Sequence, residues 1–323
     1  MTWLLTGGAG YIGAHIVRAL RSAGKSVVVY DDLSSGLAEF VPNGVPLVVG
    51  SILDAGRLRA AYGDHEVTGI IHLAGKKYAG VSVEQPLLFY RENLTGTQVL
   101  LETMVDAGIG QLVFSSSAAV YGTPHVDLVI EETPTTPESP YGETKLASEW
   151  VIRAVGRVSA MRQTSLRYFN VVGAGEPGLY DASPHNLFPM VLKALTEARR
   201  PMVFGTDYPT PDGSCVRDYI HVVDLAEAHV TAADRMERGE PLSPIYNVGR
   251  GEGVSVLEIM DMMRQVTGVD FGYDVVGRRP GDPARIVASA DLIRKELDWE
   301  ARLGLRDMVS SAWESWSKAR PVA

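Results

Sequence analysis

The amino-acid sequence predicts an α/β fold with a doubly wound parallel sheet. Short, continuously apolar runs such as 47–49 and 70–73 alternate through the first half of the chain with longer segments of helical periodicity. Continuously apolar runs are typical of parallel strands that are buried on both faces. Repeated β-α alternation joins such strands by right-handed crossovers, and a glycine-rich turn after the first run favours the Rossmann type of this fold.

The predicted elements of the first half follow one another in a regular order. A first strand at 3–6 leads through the glycine-rich turn into a helix with apolar positions at Ile12, Ile16 and Leu20. A long helical stretch covers roughly 86–107. Another helix begins at or just after Pro140, because proline suits the first turn of a helix. The remaining strands of this half are predicted at 27–30, 47–49, 70–73, 112–114 and 164–168.

From Val171 onward the β-α rhythm loosens, which predicts a smaller C-terminal α/β lobe. The run 246–248 is predicted to form one more strand of the main sheet, and the stretch near 218–233 is expected to return to that sheet as well. A helix over 256–266 carries a stripe of methionine and branched residues that we interpret as core packing. We therefore predict a dinucleotide-binding domain at 1–169, with about 218–250 returning to it, and a substrate lobe at 170–217 and 251–323.

The composition argues against several classes of protein. A net charge of −9 is unlike a nucleic-acid-binding protein, which usually carries a basic surplus. The single cysteine, Cys215, permits no internal disulfide, so we expect a reducing compartment and a cytoplasmic location. No apolar run is long enough to span a bilayer, and no signal-peptide pattern precedes the first strand. The seven histidines show no spacing typical of a ligand cluster, so we predict no metal site.

The glycine-rich turn predicts dinucleotide binding. Gly7, Gly10 and Gly13 lie between a buried strand and an amphipathic helix, where missing Cβ atoms let the backbone approach a pyrophosphate at the helix N-terminus. The second strand ends in Asp31 and Asp32, about twenty residues further on, where an acidic side chain meets the adenosine ribose. A carboxylate there repels a 2′-phosphate, so the sequence predicts NAD rather than NADP, with Asp31 as the contact.

The pair Tyr141 and Lys145 predicts proton transfer. Four residues apart on one helix, the two side chains lie on the same face. A phenol is normally protonated until about pH 10, but a nearby ammonium lowers its pKa and makes it a candidate general base. The serine run 115–117 follows a predicted strand, at the sheet edge where ligands bind. We select Ser117 as the hydroxyl that relays a proton between Tyr141 and substrate.

Together these features resemble the extended short-chain dehydrogenase/reductase family and, within it, the UDP-glucose 4-epimerases (also called UDP-galactose 4-epimerases). Many ordered matches carry this resemblance, which covers nearly the whole chain. Besides the glycines, Asp31 and the Tyr141–Lys145 pair, the matching segments are 72–77, 115–122, 166–170, 205–210, 216–222 and 246–249.

The resemblance implies a cofactor, a substrate and the residues that contact each. Tyr141, Lys145 and Ser117 are implied to be catalytic. The implied NAD contacts are Gly7, Gly10, Tyr11, Ile12, Asp31, Ser51, Ile52, Leu73, Ala74, Gly75, Lys77, Asn93, Ser115, Tyr141, Lys145, Tyr168 and Phe169. The implied contacts with the UDP-sugar substrate are Ser117, Tyr141, Asn170, Asn186, Leu187, Val203, Phe204, Arg217, Arg279 and Asp282. Within the second set, Arg217 and Arg279 are expected on the diphosphate and Asp282 on the uridine ribose, since guanidinium groups suit phosphates.

The resemblance also implies the reaction. Tyr141, assisted by Ser117, removes the proton of the hexose 4′-hydroxyl while the C4 hydride passes to NAD. The 4-keto sugar then rotates and takes the hydride back on its opposite face, which interconverts UDP-galactose and UDP-glucose. Relatives are mostly homodimers that pack through the helices near 87–106 and 141–157, so a homodimer is expected.

Some positions depart from the family pattern, and other functions stay open. Ser51 replaces an aspartate near the adenine, Ala119 a hydroxyl residue near the hexose, and Val171 a proline.

A nucleotide-sugar 4,6-dehydratase would use an acid/base pair where Ala118 and Ala119 stand. Other UDP-sugars (N-acetylhexosamines, pentoses or uronates) are alternative substrates, although the branched Ile286 favours hexoses without an acetyl group. A non-enzymatic NAD sensor is the alternative from another class, and it would not need the proton-transfer residues.

Overall fold

The computed structural model describes residues 1–279 and 282–319. The strands within these ranges are β1 (Thr2–Thr6), β2 (Ser26–Asp31), β3 (Leu47–Val49), β4 (Val67–His72), β5 (Gln111–Ser117), β6 (Arg162–Tyr168), β7 (Asn170–Val172), β8 (Met202–Phe204), β9 (Val216–His221), β10 (Ile245–Val248), β11 (Gly253–Ser255), β12 (Asp274–Val276) and β13 (Arg285–Ile286). The helices are α1 (Tyr11–Ser22), α2 (Ala55–Asp64), α3 (Ala79–Glu84), α4 (Pro86–Phe89), α5 (Gly96–Ala107), α6 (Pro140–Ser159), α7 (Leu187–Thr196), α8 (Val222–Glu237), α9 (Val256–Thr267), α10 (Asp291–Leu297) and α11 (Leu305–Ala319).

The main sheet has seven parallel strands in the order β10-β6-β5-β4-β1-β2-β3. The order reverses between β1 and β4, which creates the crevice where doubly wound sheets bind ligands. The predicted α/β fold and the return of 246–248 to this sheet as β10 are both confirmed. One boundary was wrong: the strand predicted at 112–114 extends through Ser117, so the serine run belongs to β5 rather than to the loop after it.

Side-chain alternation divides the core of the main sheet between its two faces. Trp3 and Leu5 of β1 pack in one apolar cluster with residues of α1 and α8. Leu4, between them, packs in a second cluster with residues of α2, α5 and α6. Because both faces are covered by helices, the strands read as uninterrupted apolar runs in the sequence.

The C-terminal lobe is built on a second, smaller sheet. Strand β9 pairs with β7, β11 and β13, and β8 pairs separately with β12. Residues 216–221 thus join the second sheet, although α8, which follows directly, packs against α1 on the main sheet. The stripe of α9 is buried in the core of this lobe, as its pattern predicts. The domain boundaries stated above stay a prediction.

The long helical stretch predicted at 86–107 is interrupted. Helix α4 passes through a π-helical turn (Tyr90–Thr95) into α5. A π-turn widens the helix by one residue and is often found near functional sites. Here it contains Asn93, whose buried side chain binds the loop after β4. None of the helices in the described part of the chain is long and apolar enough to cross a membrane.

The glycine-rich turn yields a stability prediction. A Cβ at position 13 would overlap the Gly7 carbonyl oxygen and the Gly8 Cα, whereas a Cβ at Gly63 in α2 meets nothing within 4 Å. We expect Gly13→Ala to destabilise the protein by about 1–3 kcal/mol through overpacking. The control, Gly63→Ala, is expected to change stability by less than about 1 kcal/mol, in the stabilising direction. Thermal unfolding of both variants measures the difference, and an unchanged melting temperature in Gly13→Ala would contradict the packing argument.

Candidate active site

A cleft of about 290 Å³ opens at the carboxyl ends of β1, β2 and β4. This is the crevice where the strand order reverses. It is lined by many of the residues for which cofactor contacts were predicted, namely Gly7, Gly10, Tyr11, Ile12, Asp31, Ser51, Ile52, Leu73, Ala74, Gly75, Lys77, Tyr141, Lys145 and Tyr168.

The start of the cleft is shaped by the turn after β1. Gly7 has a φ of +73°, a conformation that favours glycine, and a Cβ there would lie 2.8 Å from the Ala74 backbone nitrogen. The turn and the loop after β4 therefore approach each other more closely than a side chain would allow. This leaves backbone, rather than side chains, facing the cleft.

The N-terminus of α1 suits an anion. Gly10, the residue that precedes the helix, gives no side-chain cap, and the first turn contains no acidic residue. The first N–H groups of a helix lack partners within the helix and carry a partial positive charge. Backbone donors at this position, together with the open turn at Gly7, fit the pyrophosphate of a dinucleotide.

Asp31 ends β2 on the same side of the cleft. Its carboxylate accepts hydrogen bonds from the backbone N–H groups of Ala9 (3.0 Å) and Leu33 (2.8 Å), and the residue is only 7% exposed. Burial raises the pKa of Asp31, and these two hydrogen bonds oppose that rise. The carboxylate is thus held in one orientation at the rim, where a ribose diol would find acceptors.

Three of the predicted cofactor contacts lie behind the cleft lining. Asn93 accepts from the Lys76 backbone N–H (2.7 Å) and donates to the Lys76 carbonyl (3.0 Å), so it shapes the loop after β4. Ser115 is fully buried, and its hydroxyl is hydrogen-bonded to His229 at 2.9 Å. Phe169 packs in an apolar cluster with Ala118.

The predicted catalytic residues meet where β5 ends and α6 begins. Ser139 caps α6 by accepting from the Gly142 N–H at 3.2 Å, with Pro140 in the first turn, as predicted. The Tyr141 hydroxyl lies near the Ser117 side chain, and the interaction with Ser117 lowers the pKa of Tyr141. One turn further, the buried Lys145 ammonium donates to the Ser115 carbonyl at 2.9 Å and lies 4.8 Å from the centre of the Phe114 ring.

The pKa values in the protein alone differ from the expectation that Lys145 brings Tyr141 towards neutrality. Burial raises the pKa of Tyr141, and the hydrogen bond from Ser117 lowers it by less than burial raises it. Burial also lowers the pKa of Lys145 to about 8, against an opposing effect of Glu149. The reason is physical: both groups are out of water, so each charged form loses its hydration. The chain by itself therefore favours a neutral tyrosine, and the lysine does not reverse that preference.

The C-terminal lobe brings four of the predicted substrate contacts together in two pairs. Arg217 on β9 forms an ion pair with Asp282, and its guanidinium also donates to the Val216 carbonyl. The Arg279 guanidinium stacks 3.9 Å from the centre of the Phe204 ring. Planar cations stacked or paired in this way are pre-oriented for a diphosphate.

The other predicted substrate contacts are more dispersed. Asn170 is exposed on β7, and Asn186 precedes α7, where it donates to Asp181 of the cleft lining at 2.8 Å. Leu187 is partly buried in the first turn of α7, whereas Val203 is 1% exposed and faces the core of the lobe. Val203 is therefore placed to support Phe204 rather than to line a ligand site.

The two halves of the site are connected through Ile286. It is the Cα partner of Arg217 in the second sheet, and its side chain packs with Phe169 and Ala118, the neighbour of Ser117. The lobe that carries the arginines thus touches the end of β5.

Sequence reasoning missed two residues of the catalytic region, Glu149 and Arg167. Their buried side chains form a two-point ion pair, with nitrogen–oxygen distances of 2.9 and 2.6 Å. The signal was present, because Glu149 follows Lys145 by four residues on the same helical face. It also missed Lys76, which donates to Ser34 at 3.2 Å and lines the cleft beside Lys77.

A dinucleotide cleft joined to a Ser-Tyr-Lys set defines an enzyme that moves hydride and proton together. Residues 3–249 match the NAD dependent epimerase/dehydratase family, and the chain belongs to that family. It is 43% identical over 320 residues to the UDP-glucose 4-epimerase of Azospirillum brasilense. The matched region covers 98% of this chain and 92% of that enzyme.

Solved structures agree over the same length. The UDP-glucose 4-epimerase of Bifidobacterium longum, in complex with NAD+ and UDP, has a TM-score of 0.90 and 36% identity, with 99% of each chain covered. That of Stenotrophomonas maltophila, with bound NAD and formylated UDP-arabinopyranose, has a TM-score of 0.93 and 38% identity, with 98% of each chain covered.

Asp31 yields a prediction on cofactor choice. Replacing it with asparagine removes the negative charge at similar size, so Asp31→Asn is expected to weaken NAD binding by about tenfold, since hydrogen bonds to charged groups contribute about 1.5–3 kcal/mol. The ratio of NADP to NAD affinity should rise, because the repulsion of a 2′-phosphate is lost. Comparative titration of the cofactor-free protein measures both. Asp32→Asn is the matched control on the exposed neighbour, and tighter binding of NADP than NAD by the unmodified chain would contradict the assignment.

Proposed function

We propose that this chain interconverts UDP-galactose and UDP-glucose by oxidising C4 of the hexose and reducing it again from the opposite face. The observation that carries this proposal is the grouping of Tyr141, Lys145 and the end of β5 at the cleft: Tyr141 and Lys145 line the cleft, and the Lys145 ammonium donates to the Ser115 carbonyl, two residues before Ser117. The family membership and the named relatives along nearly the whole chain support it. The relatives and solved structures described above are UDP-glucose 4-epimerases.

NAD is the cofactor, and when bound it accepts the C4 hydride of the substrate and later returns it. The chain's part is to hold the two ends of the dinucleotide. The backbone around Gly7 and the N-terminus of α1 receive the pyrophosphate, and Asp31 receives the adenosine ribose. Tyr168, which lines the cleft, and Lys145 lie towards the opposite end.

Tyr141 takes the proton of the 4′-hydroxyl, either directly or through Ser117. Burial works against the phenolate, so the charge must be stabilised where it forms. Ser117 donates a hydrogen bond to it, and the cationic Lys145 on the next turn provides the opposite charge. Because both groups are already held in place, they need little reorganisation during the reaction.

The substrate is held by its nucleotide rather than by its sugar. Arg217 and Arg279 bind the diphosphate, and Asp282 binds the uridine ribose. The hexose lies beyond them, with its 4′-hydroxyl towards Tyr141 and Ser117. A keto sugar bound in this way can turn while the UDP remains in place, which inversion at C4 requires.

The test is incubation of the purified protein with UDP-galactose, without added NAD, followed by identification of the product. UDP-glucose is expected. Tyr141→Phe is expected to lower kcat by about 10²–10⁴-fold, the usual contribution of general acid–base catalysis, with the bound NAD unchanged because the ring is retained. Tyr90→Phe is the control, because that hydroxyl binds Glu143 at an exposed position. Near-normal turnover by Tyr141→Phe would contradict the assignment.

The same assay addresses the sugar. Ile286, a branched side chain that the resemblance places near the sugar, belongs to the same buried apolar cluster as Phe169 and Ala118. UDP-N-acetylgalactosamine is therefore included in parallel and is expected to turn over more slowly than UDP-galactose. If product formed from the acetylated sugar alone, the chain would still be an epimerase, but its substrate would be a UDP-N-acetylhexosamine.

We further propose that two copies of the chain associate through an apolar helix face, defined as Val83, Leu87, Trp150 and Val158. Leu87 is 84% exposed and Val158 86%, and the face spans α3, α4 and α6, which contact one another. Large apolar side chains at such exposure are typical of interfaces, and a closed pair of copies is the commonest oligomer. A cytoplasmic location also stays part of the proposal and rests on the single cysteine.

The association predicts a change of size in solution. Leu87→Glu combined with Trp150→Glu places charges in the proposed interface and is expected to give a monomer of about half the wild-type mass by sedimentation. Val275→Glu on β12 is the control, since that side chain is also exposed but lies in the other lobe. A monomeric wild type, or an unchanged mass in the double variant, would overturn this proposal.

A further inference from the structure

The middle residue of the serine run has a partner that differs from those of its neighbours. The Ser115 carbonyl accepts a hydrogen bond from Lys145, and the Ser117 side chain lies near the Tyr141 hydroxyl, whose pKa it lowers. Ser116 lies on the other face of β5, fully buried, and its hydroxyl donates to the Glu149 carboxylate at 2.6 Å. The strand segment that contacts the catalytic pair is thus tied to α6 at a third point.

Glu149 is held in turn by Arg167. Nε of Arg167 donates to Oε1 of Glu149 at 2.9 Å and Nη2 donates to Oε2 at 2.6 Å. Arg167 is the Cα partner of Ser116 across β5 and β6. Three residues from β5, β6 and α6 therefore close a fully buried set, which we call the positioning triad: Ser116, Glu149 and Arg167.

The triad lies on the same helical face as the catalytic pair. Tyr141, Lys145 and Glu149 follow one another at intervals of four residues on α6. At a rise of 1.5 Å per residue, Glu149 is about 12 Å along the axis from Tyr141. A contact that fixes the rotation and the axial position of α6 at Glu149 also fixes them at Tyr141.

Stability alone does not account for a buried ion pair here. Removing two charges from water costs several kcal/mol per ion, and apolar residues of similar volume often serve equally well. The hydrogen bonds between the carboxylate and the guanidinium fix the relative orientation of the two side chains, whereas an apolar contact does not. Arg167 extends this fixed geometry by donating to the Tyr121 hydroxyl at 2.9 Å, and that hydroxyl donates to Asn247 on β10 at 2.7 Å.

We propose that Ser116, Glu149 and Arg167 are positioning residues that set α6 against β5, so that the Tyr141 hydroxyl meets Ser117 and the Lys145 ammonium meets the Ser115 carbonyl. None of the three residues lines the cleft. The expected effect of the positioning triad on turnover rests on the proposed function. Its effect on the geometry of α6 does not depend on that function.

The first test is Ser116→Ala, which removes one hydrogen bond and leaves the ion pair intact. A displacement of about 1 Å at the reacting groups can lower a rate about 10²-fold, so kcat is expected to fall by about 10- to 100-fold with KM for UDP-galactose unchanged. Ser165→Ala is the matched control, because this serine is also buried, lies on β6, and its hydroxyl has no hydrogen-bond partner in the described part of the chain. Its kcat is expected to equal that of the wild type.

The second test is Glu149→Gln, read from the pH dependence of kcat. The groups that face Lys145 are Glu149 on α6, Tyr141 on the preceding turn, and His72 on β4, which burial holds neutral by lowering its pKa to about 3. Glu149 raises the pKa of Lys145 towards its ordinary value. Without the carboxylate that pKa falls, so the loss of activity with rising pH should begin at a lower pH. Ser116→Ala should leave the pH at which activity begins to fall unchanged. Glu149→Asp, which keeps the charge, should show the same alkaline pH limit as the wild type.

Equal kcat in Ser116→Ala and Ser165→Ala would overturn the proposal, as would an unshifted alkaline limit in Glu149→Gln. An inactive wild type would overturn the proposed function instead. Hydrogen exchange of the amides at 141–149 then decides the positioning role. Faster exchange in Ser116→Ala than in Ser165→Ala supports it, and equal exchange rates overturn it.

Discussion

The rest of the site depends on a lysine ammonium kept out of water next to a buried phenol. Lys145 is 5% exposed, and burial alone would favour its neutral form. The chain counters this with a carbonyl at hydrogen-bond distance, an aromatic ring beneath the ammonium, and a carboxylate one turn further along α6. Each partner comes from β5 or α6, so the relative placement of these two elements determines whether the cation persists.

The same constraint explains why the serine run belongs to a strand. In a loop, each hydroxyl could reorient independently. Within β5, successive side chains alternate between the two faces of the sheet. The side chains of Ser115 and Ser117 therefore lie on one face and that of Ser116 on the other. Pairing with β6 fixes the register of all three residues at once. A polar segment at the end of a parallel strand therefore provides three directed contacts without a separate scaffold.

Much of this could be predicted from local sequence. The spacing of Gly7, Gly10 and Gly13 and the interval from Tyr141 to Lys145 depend on one turn or one helix, and both were found. The bounds of β5 were missed because serine has a weak preference for strands, and pairing with β6 overrides that preference. The pairing of Glu149 with Arg167, and of Arg217 with Asp282, joins residues 18 and 65 positions apart. Contacts at such separations follow from the fold, and no local pattern encodes them.

In the proposed function, the Arg217–Asp282 pair would let an acidic protein hold an anionic nucleotide. With a net charge of −9, the overall field repels a diphosphate, so binding depends on local cations. Arg217 is nearly buried, and the Asp282 carboxylate keeps its charge compensated when no phosphate is near. An arriving diphosphate can share this guanidinium because the fork has five donors. In the proposed site, the ribose hydroxyls would then donate to the carboxylate oxygens that the arginine releases. Such an exchange of partners adds no charge, so it would make the proposed nucleotide site compatible with an acidic surface.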